Sequence, residues 1–206
     1  NKGVVNAILR RISEEKNITW PDEGTELSYP DWIIETLAKD LEKKNAVEML
    51  SKMNQAPQVS QREDGYYQDL SSQWIVDLIA VSMDNVLLDL CAAPGGKATA
   101  LAAKVKKVVA CDVNEGRHKL IQGNIKNLSI ENITQVVSDG RSAPFAPNVF
   151  DHVLVDAPCS GLGVLHRRAD SRWRINKGDL ANLAALQIEL LDSSVPLLKQ
   201  GGTLTY

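Results

Sequence analysis

From residue 86 onward, short apolar runs alternate with helical patterns, and the runs close on an aspartate beside a turn signal. The runs are VLLDL (86–90), KKVVACDV (106–113), ITQVVSD (133–139) and FDHVLVDAP (150–158). ATALAAKV, GRHKLIQGNIKNL and LANLAALQIELLDSSVPLL supply the helical patterns. Parallel strands need crossovers long enough to hold a helix, so this alternation specifies an α/β fold: a doubly wound parallel sheet with helices on both faces. GGTLTY begins a fifth strand, and the sheet is expected to be incomplete at the C-terminus.

The first 60 residues have a different rhythm. Val4, Val5, Ile8, Leu9 and Ile12 recur at helical spacing over 3–15; a turn-rich stretch follows, and a second helix runs through Trp32, Ile33, Leu37 and Leu41. A third helix is expected over 44–53, and 55–67 reads as a linker. The boundary falls near residue 60, giving a small helical segment (1–60) and a sheet domain (61–206).

Apolar stretches stay well short of the 18 or more residues of a membrane span, and Asn1 opens no signal-peptide pattern, so a cytoplasmic protein without membrane attachment is expected. The three cysteines and three histidines show no metal-ligand spacing, and an odd cysteine count argues against a disulfide framework; no metal is expected. A net charge of −3 gives no global attraction for nucleic acid. One local patch could supply it: Arg167, Arg168, Arg172, Arg174 and Lys177 surround Trp173, combining phosphate-pairing cations with a stacking face. A solvated loop explains the same charges equally well.

Ligands of open α/β sheets bind outside the carboxyl ends of the strands. There the sequence places Cys91, Ala92, Ala93, Pro94, Gly95, Gly96 and Lys97, small residues that let a ligand approach the backbone. Asp112 follows at the end of the second strand, where a carboxylate can accept both hydrogen bonds of a ribose diol; Asp139 and Asp156 end the third and fourth. P-G-G-K-A-T fits neither G-x-G-x-x-G nor G-x-x-x-x-G-K-[ST], which removes dinucleotide and nucleoside-triphosphate readings. Any single aspartate could be a helix cap; the set points to a ligand.

Together DLCAAPGGK, ACDVN, SDGR and VDAPCSGLGV resemble the RNA cytosine-C5 methyltransferases, most closely the bacterial Sun/RsmB-type 16S rRNA enzymes, over about residues 66–206. The resemblance implies a Rossmann-like class I methyltransferase sheet and S-adenosylmethionine as cofactor. It assigns residues 91–97 to the methionine portion, Asp112 to the ribose and Asp139 to the adenine, with Asp156 also in the cofactor site. GVVNAILRRI resembles the last helix of a NusB-like RNA-binding domain, and SYPDWII the segment after it. The implied partner is RNA, with rRNA the favoured class, and a monomer is favoured.

Cytosine C5 is a poor nucleophile, and a thiolate adding to C6 activates it. By the resemblance, Asp156 binds the pyrimidine N3 edge and Cys159 assists release. The family's nucleophilic cysteine is expected in a Thr-Cys motif just beyond the equivalent of Tyr206, and neither Cys91 nor Cys111 aligns with it. Residues 55–66 are shorter than the connecting region of the rRNA enzymes. Two other classes remain: a cofactor- and RNA-binding protein without catalysis, and a methyltransferase acting on protein or small molecules.

Overall fold

The computed structural model describes residues 2–15 and 18–206. Four helices come first: α1 (Lys2–Glu14), α2 (Glu23–Leu27), α3 (Asp31–Leu41) and α4 (Lys43–Met53). Then follow α5 (Leu70–Leu78), β1 (Val86–Asp89), α6 (Gly96–Ala102), β2 (Lys107–Asp112), α7 (Glu115–Asn127), β3 (Ile133–Val137) and β4 (Phe150–Leu154). The short α8 (Ser171–Arg174), the long α9 (Lys177–Ser194) and β5 (Leu198–Thr205) complete the described elements.

The chain forms two compact units, Asn1–Pro57 with Gly161–Lys177, and Gln58–Ser160 with Gly178–Tyr206. The sequence assigns 161–177 to the sheet domain; the contacts group it with the amino-terminal helices. The reason is Leu165 and Arg172. Leu165 is fully buried in one cluster with Leu27, Tyr29, Ile33, Ile34 and Leu50. Arg172 is only 5% exposed. It donates from Nη1 to Ser28 O at 2.9 Å and Asn54 Oδ1 at 3.0 Å, and its guanidinium lies 3.9 Å from the Tyr29 ring centroid. A buried charge is tolerated where hydrogen bonds and an aromatic face replace its water.

Within this unit, α2 was not legible as a helix because it is five residues long, yet Asp22 marks its start by accepting from Thr25 N at 2.6 Å. Helix α1 is amphipathic as the spacing requires, but none of its side chains is buried. Val4, Val5, Ile8, Leu9 and Ile12 are all more than half exposed.

The second unit is built on a five-stranded sheet of order β3-β2-β1-β4-β5, every neighbouring pair parallel. Its strands read as nearly continuous apolar runs because both faces are covered. Successive side chains alternate between two cores: Leu87, Val108, Ala110 and Leu154 pack with Val76, Leu101 and Ile121 on one side. Leu88, Val109, Cys111, Val153 and Val155 pack with Leu190 and Leu197 on the other. The chain moves outward from β1 to β2 and β3, then returns to β4 on the opposite side of β1. That reversal opens a crevice between the carboxyl ends of β1 and β4, where such sheets hold ligands.

Two elements escaped the sequence reading. Helix α5 starts at Asp69, which accepts from Ser71 N at 2.9 Å. The expected linker contains a hairpin closed by an antiparallel bridge between Gln61 and Tyr67. With Arg172 buried in this way, Arg172→Met is expected to destabilise the protein by roughly 2–3 kcal/mol in urea unfolding, since Ser28 O and Asn54 lose a charged donor. A loss under about 0.5 kcal/mol, typical of a surface site, would contradict this role.

Candidate functional site

The turn from β1 to α6 is held from below by Asp112. Its Oδ2 accepts from Ala93 N at 3.0 Å and its Oδ1 from Asn114 N at 3.0 Å, so one buried carboxylate joins the ends of two strands. Ala92 N donates to Cys111 O at 2.7 Å and Gly95 N to Ala92 O at 2.6 Å, winding 92–95 into a tight turn. Gly95 has φ +100°, a left-handed conformation that a Cβ would strain. Arg117, one turn into α7, lies over this turn, donating to Ala93 O and standing 3.6 Å from Asp112 Oδ2. Neither Arg117 nor its role was read from the sequence; its place after the Asn114 cap is the only signal it leaves.

Across the crevice, Lys97 Nζ meets Asp156 Oδ2 at 2.5 Å. Lys97 is mostly buried and Asp156 half exposed, so the carboxylate stays open to solvent while the ammonium holds it. The pair lines one end of a hollow of about 270 Å³ whose other walls are Ile75, Leu78, Ile79, Leu154, Val155, Thr205 and Tyr206. Tyr206 Oη donates to Gln187 Oε1 at 2.8 Å, and Gln187 Nε2 to Pro158 O at 2.7 Å, which ties the end of β5 to the Asp156–Cys159 loop.

Asp139 behaves differently from the other strand-end aspartates. It accepts from Arg141 N at 3.0 Å and from the Arg141 guanidinium at 2.6 to 3.1 Å; Arg141 also reaches Glu189 at 3.1 Å. The hydrogen bonds from Arg141 hold its carboxyl below the usual carboxylate range.

Asp89, which opens the DLCAAPGGK stretch, is the most perturbed acid here. It is 1% exposed, and its Oδ1 has no hydrogen-bond partner. Burial, reinforced by the Asp156 charge and opposed by Lys97, pushes its carboxyl up to about 7. The same environment acts on the thiols. Burial, then Asp89 and Asp112, pushes the Cys91 thiol up to about 12, and burial with Asp112 and Asp89 pushes Cys111 up to about 11. Both remain protonated near neutrality and are poor nucleophiles. Cys159 is exposed.

Of the basic residues singled out in the sequence, Arg167, Arg168 and Arg174 are exposed, as is Trp173 at 62%. Arg174 pairs with Asp170. Arg172 is a correction: its guanidinium is buried against Tyr29 and is not available to a phosphate. Among the described residues, no group of His, Cys, Asp and Glu could hold a metal ion, and no helix is long and apolar enough to cross a membrane.

The parallel order β3-β2-β1-β4-β5, with helices on both faces, matches the Rossmann-like class I methyltransferase fold. A methyltransferase homolog protein from Pyrococcus horikoshii has the same fold with a TM-score of 0.72, at 22% identity, over 91% of this chain and 77% of that one. NSun6 from Pyrococcus horikoshii, solved with SFG, matches 72% of this chain and 40% of its own at 29% identity and a TM-score of 0.62. The family described as 16S rRNA methyltransferase RsmB/F matches residues 76–206, and the chain belongs to that family. Ribosomal RNA small subunit methyltransferase B of Photorhabdus laumondii is 44% identical over 143 residues, which is 68% of this chain and 33% of the relative. The chain thus spans about a third of the length of the curated relatives it matches.

The Asp89 geometry has a pH consequence. Its carboxyl is raised from 3.8 to about 7, so between those values the folded state binds more protons than the unfolded one, and stability falls as pH rises. The contribution is fully present below about 4 and lost above about 7. Asp89→Asn is therefore expected to melt increasingly above the parent as pH rises from 4 to 8, by a few degrees at the upper end. Parallel melting curves at all pH values would contradict the buried, protonated carboxyl.

Proposed function

We propose that this chain carries the cofactor site and part of the catalytic site of an S-adenosylmethionine-dependent RNA cytosine-C5 methyltransferase, with 16S rRNA as substrate. The Lys97–Asp156 pair facing an apolar-walled hollow at the switch point carries the reading. A planar pyrimidine suits such walls, and a half-exposed carboxylate can accept from its 4-amino group and from N3 once N3 carries a proton. An rRNA substrate puts the protein in the cytoplasm.

The donor set fits a cationic cofactor. The carboxylates of Asp112 and Asp156 give the carboxyl ends of β2 and β4 an acidic character that attracts a sulfonium and an ammonium and disfavours a pyrophosphate. Residues 91–97 would take the methionine portion, Asp112 the ribose and Asp139 the adenine side. Asp112 already uses one lone pair on each oxygen to brace the turn, and each oxygen keeps a second for a diol hydroxyl. Arg117 must withdraw for that to happen, which its half-exposed side chain allows. When bound, S-adenosylmethionine supplies an electrophilic methyl group.

The chain's residues then have separate tasks. A thiolate adds to C6 of the cytosine, electron density moves to C5, and Asp156 stabilises the ring through its polar edge. After C5 acquires the methyl, its proton is removed and the C6–S bond breaks, with Cys159 assisting that release. The attacking thiol is neither Cys91 nor Cys111, which partial or full burial and the nearby carboxylates hold protonated. It belongs to the Thr-Cys position expected after β5. Arg167, Arg168, Arg174 and Trp173 form the RNA-contacting face of their unit, with Arg172 holding that segment folded.

Cys159→Ala in the full-length gene product should let addition proceed and stall elimination, giving a protein–RNA band of slow mobility on a denaturing gel. Normal turnover with no band would overturn the release role. Replacing Arg167, Arg168 and Arg174 together by Gln should weaken RNA binding and make the slope of log K against log salt shallower by about 2–3, because fewer counterions are released. An unchanged slope would return these arginines to a solvated surface.

A further inference from the structure

The hairpin at 60–68 grips the turn that begins α6, and it does so through one arginine. Arg62 is only 9% exposed along its side chain. Its Nη1 donates to Gly96 O at 2.7 Å, to Thr99 Oγ1 at 3.2 Å and to Gln68 Oε1 at 3.2 Å. Nε donates to Asp64 Oδ1 at 3.1 Å, and Nη2 bonds the second Asp64 oxygen. The guanidinium carbon lies 4.8 Å from the Tyr66 ring centroid.

The hairpin is itself closed around this residue. Arg62 N donates to Tyr66 O at 2.9 Å, Gly65 N to Arg62 O at 3.0 Å, and Asp64 Oδ1 accepts from Tyr66 N at 3.0 Å. Tyr66 continues the contact, for Asn124 Nδ2 donates both to its hydroxyl at 3.3 Å and to Pro94 O at 2.9 Å. The carbonyls at both ends of the Pro94–Gly95–Gly96 turn are therefore held by side chains from outside it. A Cβ at Gly96 would come within 3.2 Å of Gln68 Nε2, so the hairpin sits directly against the turn.

We propose that Arg62 is a positioning residue for the cofactor loop, acting through Gly96 O and Thr99 to fix residues 94–97 in the conformation that receives the ligand. The proposal rests on the reading of residues 91–97 as that loop. A planar fork is required because one group must meet Gly96 O, Thr99, Gln68 and a carboxylate at once, a geometry that a lysine ammonium cannot reproduce. A loop held before binding loses less conformational freedom when the ligand arrives, so losing the fork should appear in affinity.

The test is calorimetric titration of the whole chain with S-adenosylhomocysteine, alongside thermal melting. Arg62→Met is expected to raise Kd by about tenfold at a temperature where circular dichroism reports it folded, and Arg62→Lys by a smaller factor. Asn132→Ala removes donors to Ala102 O at 2.8 Å and Val105 O at 3.0 Å, away from the loop. It should lower the melting temperature and leave Kd unchanged, which separates positioning from general stability. If Arg62→Met does not fold, Arg62→Lys carries the test, with a Kd about threefold above the parent expected. A parent chain that does not bind S-adenosylhomocysteine overturns the cofactor reading itself. Binding by the parent with an unchanged Kd in the folded Arg62 variants overturns only the role of Arg62.

Discussion

The carboxylate of Asp112 is the point on which the carboxyl edge of the sheet depends. By accepting from Ala93 N and Asn114 N it fixes where the β1–α6 turn leaves the sheet and where α7 begins. Those two turns determine the positions of Lys97 and Arg117, and Lys97 in turn holds Asp156 at the far side of the crevice. A buried side chain that braces backbone at two strand ends links the geometry of both turns directly. Losing it would disturb both.

Electrostatics at this edge are set by unequal burial of similar groups. Asp89 lies beneath the surface with an unpartnered oxygen, Asp139 is neutralised by Arg141, and Asp156 shares a hydrogen bond with Lys97 yet remains half exposed. Four aspartates thus serve four purposes. Burial first, and the nearby carboxylates second, raise the Cys91 and Cys111 thiols and keep them protonated, whereas Cys159 is exposed. Position relative to the sheet surface and the cation at hand separate one carboxylate's state from another's.

Arginines show why residue type alone misleads. Arg62 lies in the expected linker, Arg117 in a helical stretch and Arg172 in a basic cluster, and each holds backbone from another part of the chain. Arg172 belongs, in sequence, to a basic cluster suited to phosphates; in space it is the polar centre of a small helical core. The exposed apolar stripe of α1 is the converse case. Its spacing correctly specified a helix, while none of its described side chains is buried.

Periodicity and turn chemistry determined most of the sheet unit: β1 to β5 and the helices α6, α7 and α9 fall where alternating apolar runs and Gly/Asp punctuation put them, to within a few residues. Motif content likewise placed Cys91–Lys97, Asp112, Asp139 and Asp156 at strand ends, because a strand ends where its apolar run does. Tertiary structure alone decided that 161–177 groups with the first helices, that the 60–68 hairpin braces the Gly-rich turn, and that Arg172 is interior. Local pattern reports which face of an element is apolar, whereas pairing across many residues depends on where the folded backbone brings a carbonyl or an aromatic face within reach of a charge.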